Sequence, residues 1–175
     1  MKRALPQVPV VGERNPKSVR DILMPSTLPP TIPNSSEAGV KKCGKTCIIC
    51  RQHLVEGSHF HSAVTGEKFT IRQQMTCDTS NIIYLLYCAR CDKSQYVGET
   101  QNTLKTRFYL HRSHISHNKG THVTRHFNTG KCTLLDMRCK PIEKEFSDDP
   151  HRRLQREEFW KGKLHTAFPE GLNTL

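Results

Sequence analysis

Residues 81–98 read NIIYLLYCARCDKSQYVG, and this stretch decides the fold. The run Asn81 to Tyr87 is short, apolar, and rich in β-branched and aromatic residues. Such residues suit a pleated, packed surface, so a strand is expected there. Ser94 to Gly98 reads as a second strand that ends in glycine. The spacer 88–93 is short enough to make the two strands antiparallel neighbours. Within it lies Cys88-Ala-Arg-Cys91, a spacing that lets both thiolates reach one tetrahedral zinc ion.

Downstream, residues 100–117 read as a helix, with Leu104, Phe108, His111 and Ile115 recurring along one face. Arg107 and His111 are four apart, so a helix brings their side chains together. A short helix over 121–127 is expected to stop at Asn128-Thr-Gly130. Partial alternation over 134–145 indicates a third strand. Ser147-Asp-Asp-Pro150 then supplies the cap and first turn of a last helix running to about His165. Leu154, Glu157, Phe159, Trp160 and Leu164 are its expected inward or site-facing residues. The order β-β-α-α-β-α describes a small mixed α+β domain over 81–175, a three-stranded antiparallel sheet flanked by helices.

Upstream, residues 37–80 form a cysteine- and histidine-rich segment poor in core residues. Cys43, Cys47 and Cys50 lie close together and Cys77 is the nearest later cysteine, which suggests a four-cysteine zinc site. A metal there would fold a stretch that apolar burial alone cannot. His53, His59 and His61 compete for a place in it. Residues 63–74, AVTGEKFTIRQQ, suit a hairpin turning at Thr65-Gly66. Cys139 is left over as a buried strand thiol. Residues 1–36 hold seven of the ten prolines and are expected to be a disordered tail or linker, with room for one short helix over 15–24.

Composition narrows the function. The 175 residues carry a formal charge of +11, and hydrophobic residues make up 35%. The isoelectric point near 9.5 and mean hydropathy of −0.62 describe a basic, water-facing chain. Such a surplus attracts polyanions, nucleic acid first among them. No apolar run is long enough to span a bilayer, so no membrane role is expected. The first residues make a poor secretory signal, which points to a reducing compartment. There, eight cysteines serve better as metal ligands or buried thiols than as disulfides.

Ile83-Tyr84, then Tyr96-Val97-Gly98, Arg107, His111, Glu157 and Asn173 follow one another in an order that resembles the GIY-YIG nuclease core. Ile82 stands where that pattern's first glycine would be, and Arg107 falls one position later than usual. The chain is most similar to the endonuclease of Penelope-like retroelements, in YLLYCARCDKSQYVGET, LKTRFYLHR, TRHF, REEFW and PEGLN. The segment NPKSVRDILMPSTLPP looks like the piece that joins the reverse transcriptase to that nuclease.

The resemblance implies a metal-dependent DNA endonuclease that nicks target DNA in the nucleus. Element RNA or a reverse transcriptase domain would be further partners. It implies that Glu157 holds a catalytic Mg²⁺ or Mn²⁺, because a hard cation suits a carboxylate oxygen. Tyr84, with Tyr96 beside it, would activate or position the water. His111 would take the proton or hold the phenol, and Arg107 would present a planar fork to the phosphate. Asn173 would position the metal site or the phosphate. In that family two downstream histidines complete the C-x-x-C pair. The first aligns with His126, and the second position holds Cys132, which departs from the family residue but keeps a ligand type. Cys88, Cys91, His126 and Cys132 are therefore the expected structural Zn²⁺ ligands, with His122 as the substitute fourth. The rival reading is a zinc-stabilised, non-catalytic nucleic-acid-binding module, a decayed or truncated element copy.

Overall fold

One apolar run, Ile82 to Cys88, pairs on both sides with mixed polar and apolar segments into an antiparallel sheet, and the remaining segments are fastened to its faces and one edge. The computed structural model describes residues 38–91 and 94–174. The tail expected at 1–36, with its short helix, lies outside the described residues. In chain order the elements are β1 (Gly39–Val40), α1 (Ile48–Gln52), β2 (His59–His61), β3 (Lys68–Thr70), β4 (Gln74–Met75), β5 (Ile82–Cys88) and β6 (Gln95–Thr100). Then follow α2 (Leu104–Ser116), α3 (His122–Phe127), a 3₁₀ turn (Leu134–Asp136), β7 (Met137–Lys144) and α4 (Pro150–Leu164). The main sheet has three strands in the order β6-β5-β7, all antiparallel.

Strand β5 is central, and Ile82 to Leu86 are all buried. This explains the isoleucine at the position where the resemblance leads one to expect glycine: Ile82 is fully buried, between Thr100 and Lys144. The β5–β7 register slips between Ile83 and Tyr84, and Tyr84 faces Pro141 there. Proline has no N–H for the ladder, so an irregularity is tolerated at that point.

The cysteine-rich segment covers the outer edge of β7. Val55 N–H donates to Cys139 O at 3.0 Å, and Cys139 N–H donates to His53 O at 2.9 Å. Buried Lys140 adds bonds from Nζ to the carbonyls of Glu56 (3.1 Å) and His59 (2.6 Å). Satisfied edge groups leave no template for stray pairing.

Boundaries moved where strand pairing or capping competed with the local pattern. Strand β6 runs on to Thr100, paired with Ile82, so α2 starts only at Leu104, capped by the Thr103 side chain. Its buried residues are Leu104, Phe108, His111 and Ile115, the expected stripe. The third strand starts later than expected because Asp136 accepts the Thr133 N–H at 2.8 Å and tightens the chain into the 3₁₀ turn. The hairpin is built from β2 and β3, with His59 opposite Thr70, so 62–67 are the turn and not strand. Ser62 Oγ accepts the N–H groups of Val64 and Thr65, which curls residues 62–65.

Helix α4 is capped by Asp149, with Pro150 in its first turn. Its buried residues are Arg153, Glu157 and Leu164, whereas Leu154 and Phe159 are exposed, against expectation. The helix is rotated because Arg153 donates to Glu99 Oε2 at 3.0 Å and to Asn81 Oδ1 at 3.3 Å. A buried arginine held this way outweighs the pull of an apolar neighbour. No helix among the described residues is long and apolar enough to cross a membrane.

After α4 the chain doubles back through 166–173. Asn173 N–H donates to Thr166 O and Leu172 N–H to Gln95 O, both at 2.8 Å. The reversal needs Gly171, since a Cβ there would fall on the backbone of Thr166. Gly171→Ala is expected to lower stability by about 1–3 kcal/mol, the usual cost of forcing atoms into a filled space. Thermal melts of the two proteins check this.

Candidate active site and metal centres

Tyr84 is fully buried on β5, and its hydroxyl is shared between two residues of α2. Arg107 donates from Nε to Tyr84 Oη at 2.9 Å, and the hydroxyl lies 2.8 Å from His111 Nε2. The two reach one atom because they are a turn apart on the helix face that covers the sheet. Gly98 sits directly across from Tyr84 on β6, and any Cβ there would fall on the Tyr84 hydroxyl. Glycine is therefore required by this close approach.

The environment keeps both partners uncharged. Burial, and then the neighbouring Tyr96, push the Tyr84 phenol well above its usual range, although Arg107 pulls it back. Burial, and then the Arg107 charge, push His111 down to about 3. The Tyr84 oxygen accepts from Arg107, and with His111 in its neutral Nδ1–H tautomer the phenol donates its proton to Nε2. The Tyr96 ring stands edge-on to His111 at 5.5 Å and 6.4 Å from Tyr84.

Glu157 lies on α4, close enough to act electrostatically on Tyr84. Burial raises its pKa, while Lys161 opposes this from one helical turn away, with Nζ 3.5 Å from Oε1. Lys161 also reaches Glu158 at 2.6 Å, on the exposed side. The Glu157 carboxylate is an oxygen donor of the kind a hard cation takes, and a metal ion there would have to displace the Lys161 ammonium from it. Asn173 is engaged otherwise. Its Oδ1 accepts the Val97 N–H at 2.9 Å and its Nδ2 donates to Val97 O at 2.8 Å. It clips the terminal loop to β6, between Tyr96 and Gly98. The sequence pattern singles out neither Lys161 nor Arg153. The i, i+4 spacing Glu157–Lys161 was the available signal for the first, and a lone arginine carries none for the second.

Among the described residues two clusters could hold a metal ion: Cys43, Cys47, Cys50 and Cys77, and Cys88, Cys91, His126 and Cys132. In each, the candidate ligand atoms all lie within 4.8 Å of one another. Zinc bonds of about 2.3 Å to sulfur and 2.0–2.1 Å to nitrogen imply tetrahedral edges of about 3.8 Å for S···S and about 3.5 Å for S···N. Cys47–Cys77 is 3.8 Å, Cys43–Cys50 is 3.6 Å, and Cys91 Sγ–His126 Nε2 is 3.5 Å. These separations are far too long for S–S bonds. Burial pushes the Cys88 thiol up to about 12 and Cys77 higher, so a bound cation is what would make thiolates stable there.

The competing histidines are elsewhere. His53 is bonded to Met137 O at 2.9 Å, His59 to Ser58, and His122 stacks on Phe168 at 4.3 Å. His61 is exposed on β2. Cys139 is a fully buried strand thiol, as expected.

The clusters fasten the helices that carry the site. Cys77 O accepts the Lys105 N–H at 2.9 Å and Thr79 O the Leu104 N–H at 3.1 Å, satisfying the free first turn of α2. The second cluster ties the end of β5 to His126 on α3.

A small mixed sheet-and-helix module in which an arginine and a histidine meet on one buried tyrosine hydroxyl offers a guanidinium to an anionic substrate. A family model for the GIY-YIG catalytic domain matches residues 80–173, more than half of the chain, and the chain belongs to that family. The family consists of nucleases, which makes DNA the substrate class. No curated protein and no solved structure matches the chain.

Protein purified without chelator is expected to carry two zinc ions per chain by elemental analysis. Cys88→Ser should lose one of them and melt earlier, because binding energy at such a site is folding energy. Finding one zinc in the parent would remove one of the clusters as a metal site.

Proposed function

We infer that this chain is a metal-dependent DNA endonuclease, the nuclease part of a Penelope-like retroelement, which nicks nuclear target DNA so that a 3′ hydroxyl can prime reverse transcription. Residues 37–80 would be its zinc-bound support and 81–175 its nuclease domain. Element RNA and a reverse transcriptase domain are its further partners. The observation that carries the nuclease reading is the Tyr84 hydroxyl, held between Arg107 and His111 with Glu157 close by. The cluster of Cys88, Cys91, His126 and Cys132 supports the retroelement assignment, since the resemblance pointed to the first three, with Cys132 standing where that family has a second histidine.

Hydrolysis needs an activated water, a clamp for the developing charge and help for the leaving oxygen. Arg107 has guanidinium N–H groups beyond the Nε–H given to Tyr84, and these bind a phosphate oxygen. That contact offsets the positive charge which depresses His111 and makes its Nε2 a better proton acceptor. Tyr84 Oη is closed to water without substrate, so phosphate binding at Arg107 must open a path for one water to reach it. Oη then takes a proton from that water as it passes its own to His111 Nε2. The water oxygen bonds to phosphorus and the bond to the 3′ oxygen breaks; the departing 3′ oxygen takes a proton from solvent water, which leaves a 3′ hydroxyl and a 5′ phosphate. Glu157 would hold Mg²⁺ or Mn²⁺, which supplies positive charge beside the phosphate and the leaving oxygen. Tyr96 packs against His111 and Tyr84, and Asn173 holds β6 in place beside Tyr84.

The test is plasmid nicking with Mg²⁺. Glu157→Gln keeps size and helix propensity but removes the charge, and is expected to lower the rate about a hundredfold or more. Glu158→Gln, which points about 100° away on the helix, should keep most activity. Parental nicking by Glu157→Gln would favour the non-catalytic binding module instead.

A further inference from the structure

On the far side of α4 from Glu157 lies an open groove of about 510 Å³, formed by α4 with β3, β7 and the segment after β3. Phe159, two residues beyond Glu157, points about 200° around the helix from it. Its ring is 43% exposed, high for a phenylalanine, and belongs to a row of aromatic rings. Phe159–Trp160, Trp160–Phe69 and Phe69–Phe60 centroids are 5.2, 5.3 and 5.4 Å apart. The Arg156 guanidinium lies 4.4 Å from the Phe159 ring centre.

The charge of the groove is positive where it is free. Glu143, on its floor, has both oxygens taken by the Arg156 fork, at 2.6 and 2.7 Å, and also accepts the Trp160 indole N–H. Lys68 and Arg72 are exposed on the opposite wall, and among the described residues neither has a carboxylate partner. Aromatic faces that any base can stack on, lined by unpaired cations for a phosphate backbone, are what a protein offers to a single strand. A duplex hides its base faces and would leave Phe159 unused.

We propose that this groove binds single-stranded DNA, with a base stacked on Phe159 and phosphates on Lys68 and Arg72. The strand is the one freed next to a nick, one helix diameter from the candidate active site, roughly 10–12 Å. The source of the strand rests on the nuclease reading, whereas the binding itself does not.

Trp160 is the chain's sole tryptophan and lines the groove, so its fluorescence reports occupancy. Titrating an eight-nucleotide oligothymidylate into the full chain, without added magnesium, should quench it saturably, and added salt should weaken the binding. Phe159→Ala is expected to weaken binding roughly tenfold, the scale of losing one stacked base. Lys68→Glu with Arg72→Glu changes only exposed side chains and should weaken it at least as much. Absence of saturable quenching, or parental affinity in both variants, overturns the proposal. Tighter binding of oligouridylate of the same length overturns the assignment to DNA. Plasmid nicking by the parent chain is measured alongside. Nicking without quenching sinks the groove alone, and quenching without nicking sinks the nuclease reading while the groove stands.

Discussion

The rest of the structure is arranged around one buried phenol. The Tyr84 hydroxyl has no access to water, so its hydrogen bonds must come from the protein, and an unpaired buried polar group would cost about 1–3 kcal/mol. Arg107 and His111 provide them at 2.9 and 2.8 Å. That requirement sets the position of α2 over the sheet and leaves no room for a side chain at Gly98. It also couples the charge states of three residues. Burial holds the phenol protonated and the imidazole neutral, and the arginine charge reinforces the second while opposing the first. An anion arriving at Arg107 changes all three at once.

With metal bound, the two cysteine clusters would do for this small domain what a larger core does elsewhere. Hydrophobic residues are only 35% of the chain, so the elements around the site are fixed by specific ties. The Cys77 turn caps the start of α2, the second cluster links β5 to α3, and Lys140 joins the hairpin segment to β7. Asn173 and the buried Arg153 do the same on the side of α4. Nearly every one of these ties ends on backbone or on a strand next to Tyr84, so the chemistry and the fold share their supports.

Much of this was legible in the sequence, because periodicity and ligand spacing are local properties. The apolar run at 82–88 had to be a strand, the stripe Leu104–Phe108–His111–Ile115 had to be a helix face, and Cys88-Ala-Arg-Cys91 had to be a pair. What escaped was set by partners distant in the chain. Phe60 is the single buried residue of β2, flanked by His59 and His61, which look like ligands and are strand residues. Arg153 reads as solvated until Glu99 and Asn81 are placed beside it, and its burial turns Leu154 and Phe159 outward. Asn173 was legible as a site position, but not as a clip for the Val97 backbone, since a bond to backbone leaves no trace in side-chain pattern.

Tyr84→Phe measures the central claim most directly, for it removes one oxygen and leaves the ring that fills the space above Gly98. Plasmid nicking in Mg²⁺ is the readout, with metal content and circular dichroism as controls. The account predicts that the variant folds, keeps its metal and loses nicking about a hundredfold or more, the scale of a lost proton-transfer group. Nicking at the parental rate by a folded Tyr84→Phe protein would contradict it, and the shared hydroxyl would then be a strut between β5 and α2.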